Sequence, residues 1–170
     1  MLTSRSWNKI IRDIFSSVVS VILIALIFAL WSDSELKEYD LTGNWLLITT
    51  TKKSNLRRYK NMELYYDVKI LQFSDSIILK AEKIKGKIPN NGVEEYKGKA
   101  RTLIECKGKK KYNFFSKNKL LLSCEELGTK RKSIMFLDLN IVHKNKMIGN
   151  FDSTIANSTG RVIVKRKISF

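Results

Sequence analysis

The chain carries few groups able to do covalent chemistry. His143 is its only histidine, and Cys106 and Cys124 are its only cysteines. There is no C-x-x-C, and one histidine cannot complete a zinc set, so no metal site is expected. The metalloprotease H-E-x-x-H, the phosphate-cradling glycine loop and the nucleophile-elbow G-x-S-x-G are all absent. Glu94–Glu95 and Glu125–Glu126 are adjacent pairs, and neighbours on a strand point to opposite faces, so they read as solvated loop charges. The residues better suited to holding a ligand are aromatic and arginine side chains near the strands. These are Tyr65, Tyr66, Arg101 and Arg161, although the tyrosines serve equally well as cross-strand packing. The expectation is a binder rather than an enzyme, with no cofactor.

The charge balance indicates what would be bound. The chain has 32 Lys and Arg against 16 Asp and Glu, a formal net charge of +16. Only Arg5, Lys9, Arg12 and Lys37 of those basic residues precede Leu41. Such a field attracts nucleotides, nucleic acid or anionic lipid headgroups. The plainer reading is that lysines spread over a β-domain keep it soluble and guard its edges. Cys106 and Cys124 each fall in a strand-like stretch. Two buried free thiols is the more ordinary reading, and a disulfide becomes possible if the domain is extracytoplasmic.

These residues must be positioned by two kinds of element. Ile14 to Trp31 reads IFSSVVSVILIALIFALW, without a charge. Its length at helical rise, about 27 Å, matches the hydrocarbon core of a bilayer. A helix is required there because lipid cannot satisfy free backbone groups. No small-residue cleavage site follows, so the run reads as an uncleaved transmembrane anchor. Ser16 with Ser20, and Ala25 with Ala29, place small residues at the four-residue spacing that lets two spans approach. Arg5, Lys9 and Arg12 precede the span and acidic residues follow it, which favours a cytoplasmic N-terminus. The basic run Lys52 to Lys60 pulls the other way. The organisation expected is a short basic segment over 1–13, the span over 14–31, a polar linker over 32–40 and a basic domain over 41–170.

From Leu41 the signals are those of strands. Trp45 to Thr51 is rich in β formers, and Leu64, Tyr66, Val68 and Ile70 share one face at period two. Short strands continue over 76–85, 99–106, 112–115, 120–124, 133–142, 147–155 and 161–168. Lys85 to Gly98 reads as a loop and Lys107 to Lys111 as a tight basic turn. Regular short strands with turn punctuation predict an all-β meander, a small antiparallel barrel of eight or nine strands after one transmembrane helix. Trp45 is expected in its core, closing one end.

Leu41-Thr42-Gly43-Asn44-Trp45 resembles the G-x-W opening strand of calycin barrels such as lipocalins and avidins. The resemblance implies structural roles for Gly43 and Trp45, with a basic residue from the last strand, Arg166 or Lys167, packed on the tryptophan. Ile148 to Thr154 and Thr159 to Arg166 look like the closing hairpin of bacterial lipocalin-like domains. With the anchor, the plan is similar to the membrane-anchored β-barrel effectors of cyclic-oligonucleotide antiphage defence systems. That family carries two spans where this chain has one apolar run.

The resemblance implies a bacterial inner-membrane effector of abortive infection. Its barrel would bind a cyclic nucleotide or another anionic ligand, and its span would disrupt the membrane on homo-oligomerisation. A partner encoded nearby would supply the signal. The alternative is an extracytoplasmic envelope protein that binds an anionic ligand or lipid.

Overall fold

The computed structural model describes residues 4–35, 39–89, 91–98, 102–113, 116–127 and 132–167, with helical side chains from 12 to 29. They belong to two compact units, Met1–Glu38 and Tyr39–Phe170.

The first unit is one helix, α1, over Ser4–Glu35. No glycine or proline interrupts it, so it runs past the apolar segment at both ends and into the expected linker. Its window Arg12–Ala29 has a mean hydropathy of 2.1, long and apolar enough to cross a membrane. Ser17 Oγ donates to the Asp13 carbonyl at 2.9 Å and Ser20 Oγ to the Ser16 carbonyl at 2.8 Å. Each hydroxyl is thereby satisfied on its own helix, as lipid requires. Ser16, Ser20, Ala25 and Ala29 are all exposed on this helix.

The second unit is a closed antiparallel barrel. Its strands are β1 (Gly43–Lys53), β2 (Glu63–Phe73), β3 (Ser76–Ile88), β4 (Gly92–Glu95), β5 (Leu103–Lys111), β6 (Lys119–Leu127), β7 (Lys132–His143), β8 (Lys146–Ser153) and β9 (Ser158–Arg166). The sheet order is β2-β1-β9-β8-β7-β6-β5-β3-β4, and β2 also pairs with β3. Eight strands therefore close the barrel, while β4 lies beside the far end of β3. Apart from the short excursion through β4, each connection joins neighbouring strands, as a meander requires. Closure removes the free edges that an open sheet of this size would expose.

Alternation builds the core. Trp45 and Leu47 of β1, Tyr66, Val68 and Ile70 of β2, and Ile77, Leu79 and Ala81 of β3 all point inward. Leu120 and Leu122 of β6, Leu137, Leu139 and Ile141 of β7, Met147 of β8, and Val162 and Val164 of β9 complete it. Their neighbours face outward, many of them charged and some, such as Leu121 and Phe136, apolar, so period two decides burial along most of each strand.

Several expectations are corrected; of the strand expected over 112–115, Tyr112 and Asn113 lie outside any strand and 114–115 lie outside the described residues. The run Lys107 to Lys111 is no turn; it is the second half of β5, paired with Ser123 to Lys119 of β6. Gly108 lets the strands approach there, because a Cβ at that position would clash with the Leu121 carbonyl. Lys110 faces inward and is buried. The segment 85–98 is not all loop, since β3 runs on to Ile88 and pairs with β4. Backbone pairing overrides the weak strand propensity of its glycines and charges. The cysteines are not free thiols: Cys106 and Cys124 are bonded to each other. They are direct partners in the β5–β6 register, and inward alternation brings both sulfurs to the same side of the wall.

Candidate functional site at the barrel mouth

The two ends of the barrel are built differently. The chain enters at the end where β1 begins, and Trp45 plugs that end with no exposed surface. Its indole Nε1 donates to the Leu41 carbonyl at 2.9 Å. The Arg166 guanidinium lies 4.8 Å from the ring centroid, a cation–π contact. Arg166 Nη2 also donates to the Asp40 carbonyl at 2.6 Å. Gly43 has φ +138°, a backbone conformation that L side chains rarely adopt, and a Cβ there would sit 3.6 Å from Arg166 Nη1. Gly43, Trp45 and Arg166 therefore act together. The choice left open between Arg166 and Lys167 falls to Arg166, because Lys167 points outward to an ion pair with Asp67 at 2.8 Å.

The other end keeps an opening. A cavity of about 140 Å³ lies beneath the mouth. Its walls are Leu64, Ile104, Met135 and Phe151, with Thr49, Thr51, Ser153 and Ser158 on the strands between them. Tyr59 and Met62 from the β1–β2 connection and Ile155 from the β8–β9 connection overhang it. The β1–β2 connection is held by a 3₁₀ turn over Arg57–Tyr59, and the β8–β9 connection turns through Ile155–Asn157, where Ala156 has φ +52°.

Three ionisable groups on the strands face this space: Tyr66, Lys83 and Glu126. Tyr66 is almost wholly buried, and its hydroxyl is hydrogen-bonded to Thr49. Burial, with the Glu126 charge adding to it, pushes its phenol far above the ordinary range, so it stays protonated. Lys83 Nζ lies 3.7 Å from Glu126 Oε1 and 4.8 Å from the Tyr96 ring centroid. Glu126 Oε2 accepts from Ser133 Oγ at 3.2 Å. Tyr96 is also pushed up, first by burial and then by Glu94. The site thus has an apolar floor, a protonated phenol in its wall and one loosely paired ammonium at its rim.

The local register explains Lys83. Ile77, Leu79 and Ala81 point inward, so the next odd residue does too. A bulge then follows at Ile84, where Tyr65 pairs with Lys85 but Tyr66 with Lys83. Beyond it the inward parity changes, and Gly86 is buried against the Tyr96 hydroxyl. Bulges commonly re-aim side chains at barrel rims.

Of the ligand residues expected from sequence that lie among the described residues, only Tyr66 lines the cavity. Tyr65, on the opposite face, donates to Glu63 Oε2 at 2.9 Å, and the Lys85 ammonium lies 5.6 Å from its ring centroid. That bond to Glu63 is the main reason its phenol is raised. Arg161 is exposed on the outer wall, one residue from the buried Val162. Arg101 lies outside the described residues. Reading for aromatic and arginine contacts misses Lys83 and Glu126, although period two counted on from Ala81 turns Lys83 inward. Among the described residues no cluster of three or more potential metal ligands occurs, and His143 Nδ1 accepts from the Asn145 backbone N–H at 3.2 Å.

No family model and no curated protein matches the chain. Among solved structures it is similar to a redesigned β-barrel, at a TM-score of 0.48 and 12% identity over 75% of this chain and 92% of that one. It is also similar to EF1p2_mFAP2b bound to DFHBI, at 0.48 and 10% identity over 75% of this chain and 94% of that one.

Proposed function

We propose that this chain is a membrane-anchored binding protein whose barrel faces the extracytoplasmic side and takes a small amphiphile with an anionic head at its mouth. The observation that carries the reading is the apolar cavity whose rim holds the Lys83 ammonium. The volume suits a molecule about the size of one aromatic ring or the end of an acyl chain. An acidic head would meet Lys83, and the ring or chain would pack on Leu64, Met135 and Phe151. Sidedness draws on two independent supports. The Cys106–Cys124 bond suits an oxidising compartment. The basic residues before the span favour an N-terminus on the inside.

Calorimetry on the full chain in nanodiscs tests this, with benzoate and toluene as probes. Benzoate binds, and Lys83→Met weakens it by about tenfold, the worth of one charge-assisted hydrogen bond. Toluene is little affected. Absence of benzoate binding at millimolar concentration refutes the reading.

A second reading keeps the antiviral effector of the inner membrane suggested by the family resemblance, acting through abortive infection. The lysine-rich outer wall favours it, where Lys69 and Lys80 are direct partners across β2 and β3. The interior cavity is well below the several hundred Å³ typical for larger ligands, so a cyclic nucleotide would ride on the outer surface. In this reading clustering of the spans, through Ser16, Ser20, Ala25 and Ala29, damages the bilayer. Overexpression then depolarises the host membrane, and deletion of residues 1–33 abolishes toxicity. Equal toxicity without the span rules it out.

A further inference from the structure

We infer that the plugged end of the barrel is a lipid-contact surface that docks on anionic headgroups. The reason lies in how the chain enters the barrel, and it is independent of any ligand at the mouth. The Tyr39 carbonyl accepts from the buried Lys110 Nζ at 3.1 Å, and the Asp40 carbonyl accepts from Arg166. The Leu41 N–H donates to Gln72 Oε1 at 3.0 Å, and the Leu41 carbonyl accepts from Trp45. Two cations and two polar side chains thus pin this entry segment to the plug. The apolar window of the span ends at Ala29 and the pinned segment starts at Tyr39. Residues 30–38 alone connect that window to the pinned segment, so the chain joins the barrel at its plugged end rather than at its mouth.

The chemistry of that end fits the surface it would meet. Lys109, Lys111, Lys117 and Lys144 are exposed there, in or beside the β5–β6 and β7–β8 connections. Phe73 is 60% exposed at the tip of the β2–β3 hairpin, and Tyr112 is 36% exposed beside Lys111. Aromatic side chains ringed by lysines are the composition of interfacial anchors: the rings enter the headgroup boundary and the ammoniums meet phosphates. Among the described residues the acids nearby include Asp75 and Asp40, while Asp138 and Asp67 are ion-paired to Lys119 at 3.2 Å and to Lys167 at 2.8 Å. The carboxylate of Asp40 is already engaged by the Thr42 N–H at 2.8 Å. The two sources of phosphate, lipid and free nucleotide, separate by whether a bilayer is needed.

The test uses the full chain in nanodiscs of phosphatidylcholine alone or mixed with phosphatidylglycerol. A spin label is placed at Ser74→Cys beside Phe73, or at Asn55→Cys near the mouth; the two native cysteines are bonded to each other. Accessibility to a water-soluble nickel complex is the readout. Expected is shielding of the Ser74 label only in the anionic discs, reversed by high salt and by the double change Lys109→Glu with Lys111→Glu. The Asn55 label stays open throughout. Phe73→Ser reduces the shielding in part. A Ser74 label equally open in both disc types overturns the inference. Shielding that survives salt and charge reversal, or equal shielding of both labels, overturns it too. Circular dichroism of each variant confirms the barrel, so loss of fold is not mistaken for loss of docking.

Discussion

The plugged end and the mouth are made by the same eight strands, yet they handle polar groups in opposite ways. At the plug, Arg166 and Lys110 direct donors to main-chain carbonyls, and Trp45 fills the remaining space. At the mouth, Lys83 and Glu126 stand 3.7 Å apart, each partly exposed, beside an apolar cavity. A tightly packed, internally bonded end contributes stability. A loosely paired, roomy end contributes little to it. Substitutions at the two ends should therefore separate into those that unfold the barrel and those that leave its stability nearly unchanged.

The largest effect expected is at the plug. Trp45→Ala removes the largest fully buried side chain and should cost roughly 3–5 kcal/mol in denaturant unfolding. A cost below about 0.5 kcal/mol would place the indole in solvent and erase the contrast between the ends. Next comes the barrel wall. The Cys106–Cys124 bond closes a loop with a sequence separation of 18, so Cys106→Ala with Cys124→Ala should lose about 3 kcal/mol. Thermal unfolding with and without reductant checks this, and reductant should no longer matter in the double variant. Arg166→Met, which keeps the stem over the indole but removes the donors, should cost about 1–2 kcal/mol. Arg166→Lys should recover only part, since an ammonium cannot reproduce the planar stack.

At the mouth, Lys83→Met should move stability by less than about 1 kcal/mol, because its pairing with Glu126 is long and partly solvated. The smallest effect belongs to Asp40, which is largely exposed. Its bonds from Thr42 hold its carboxyl below the ordinary 3.8, with Arg166 and Lys110 adding to them. A depressed folded-state pKa gives stability that is present above the unfolded value and lost as pH falls through the folded one. The gap between the parent and Asp40→Asn should therefore be small at neutral pH and close as the pH drops below about 4. A gap that widens in acid would show that the carboxyl is favoured in its protonated form.

Individual residues show which parts of this are legible in the sequence. Tyr66, Val68 and Ile70 declare their inward face because period two is a local property. Gly43 and Trp45 sit close enough in sequence to form one motif. The run Lys107 to Lys111 resembles a turn when read alone, because its charges and glycine have weak strand propensity. It becomes a strand only because Ser123 to Lys119 of β6 supply its hydrogen-bond partners. Period two carries the inward face of β3 on to Lys83. The bulge beyond it, which ends that inward run at the rim, is announced by no local pattern.

By itself, the sequence determined that an uncharged run long enough for a bilayer precedes a basic, alternating, strand-forming chain. Those properties belong to single segments and follow from hydropathy and period. Only the tertiary structure decided that eight of nine strands close, that Arg166 rather than Lys167 covers Trp45, that the cysteines meet, and that Tyr66 shares a cavity with Lys83 and Glu126. Each of these depends on register between segments far apart in the chain. A shift of one residue would turn every inward side chain out, and that register is set by the packed core as a whole rather than by any one strand.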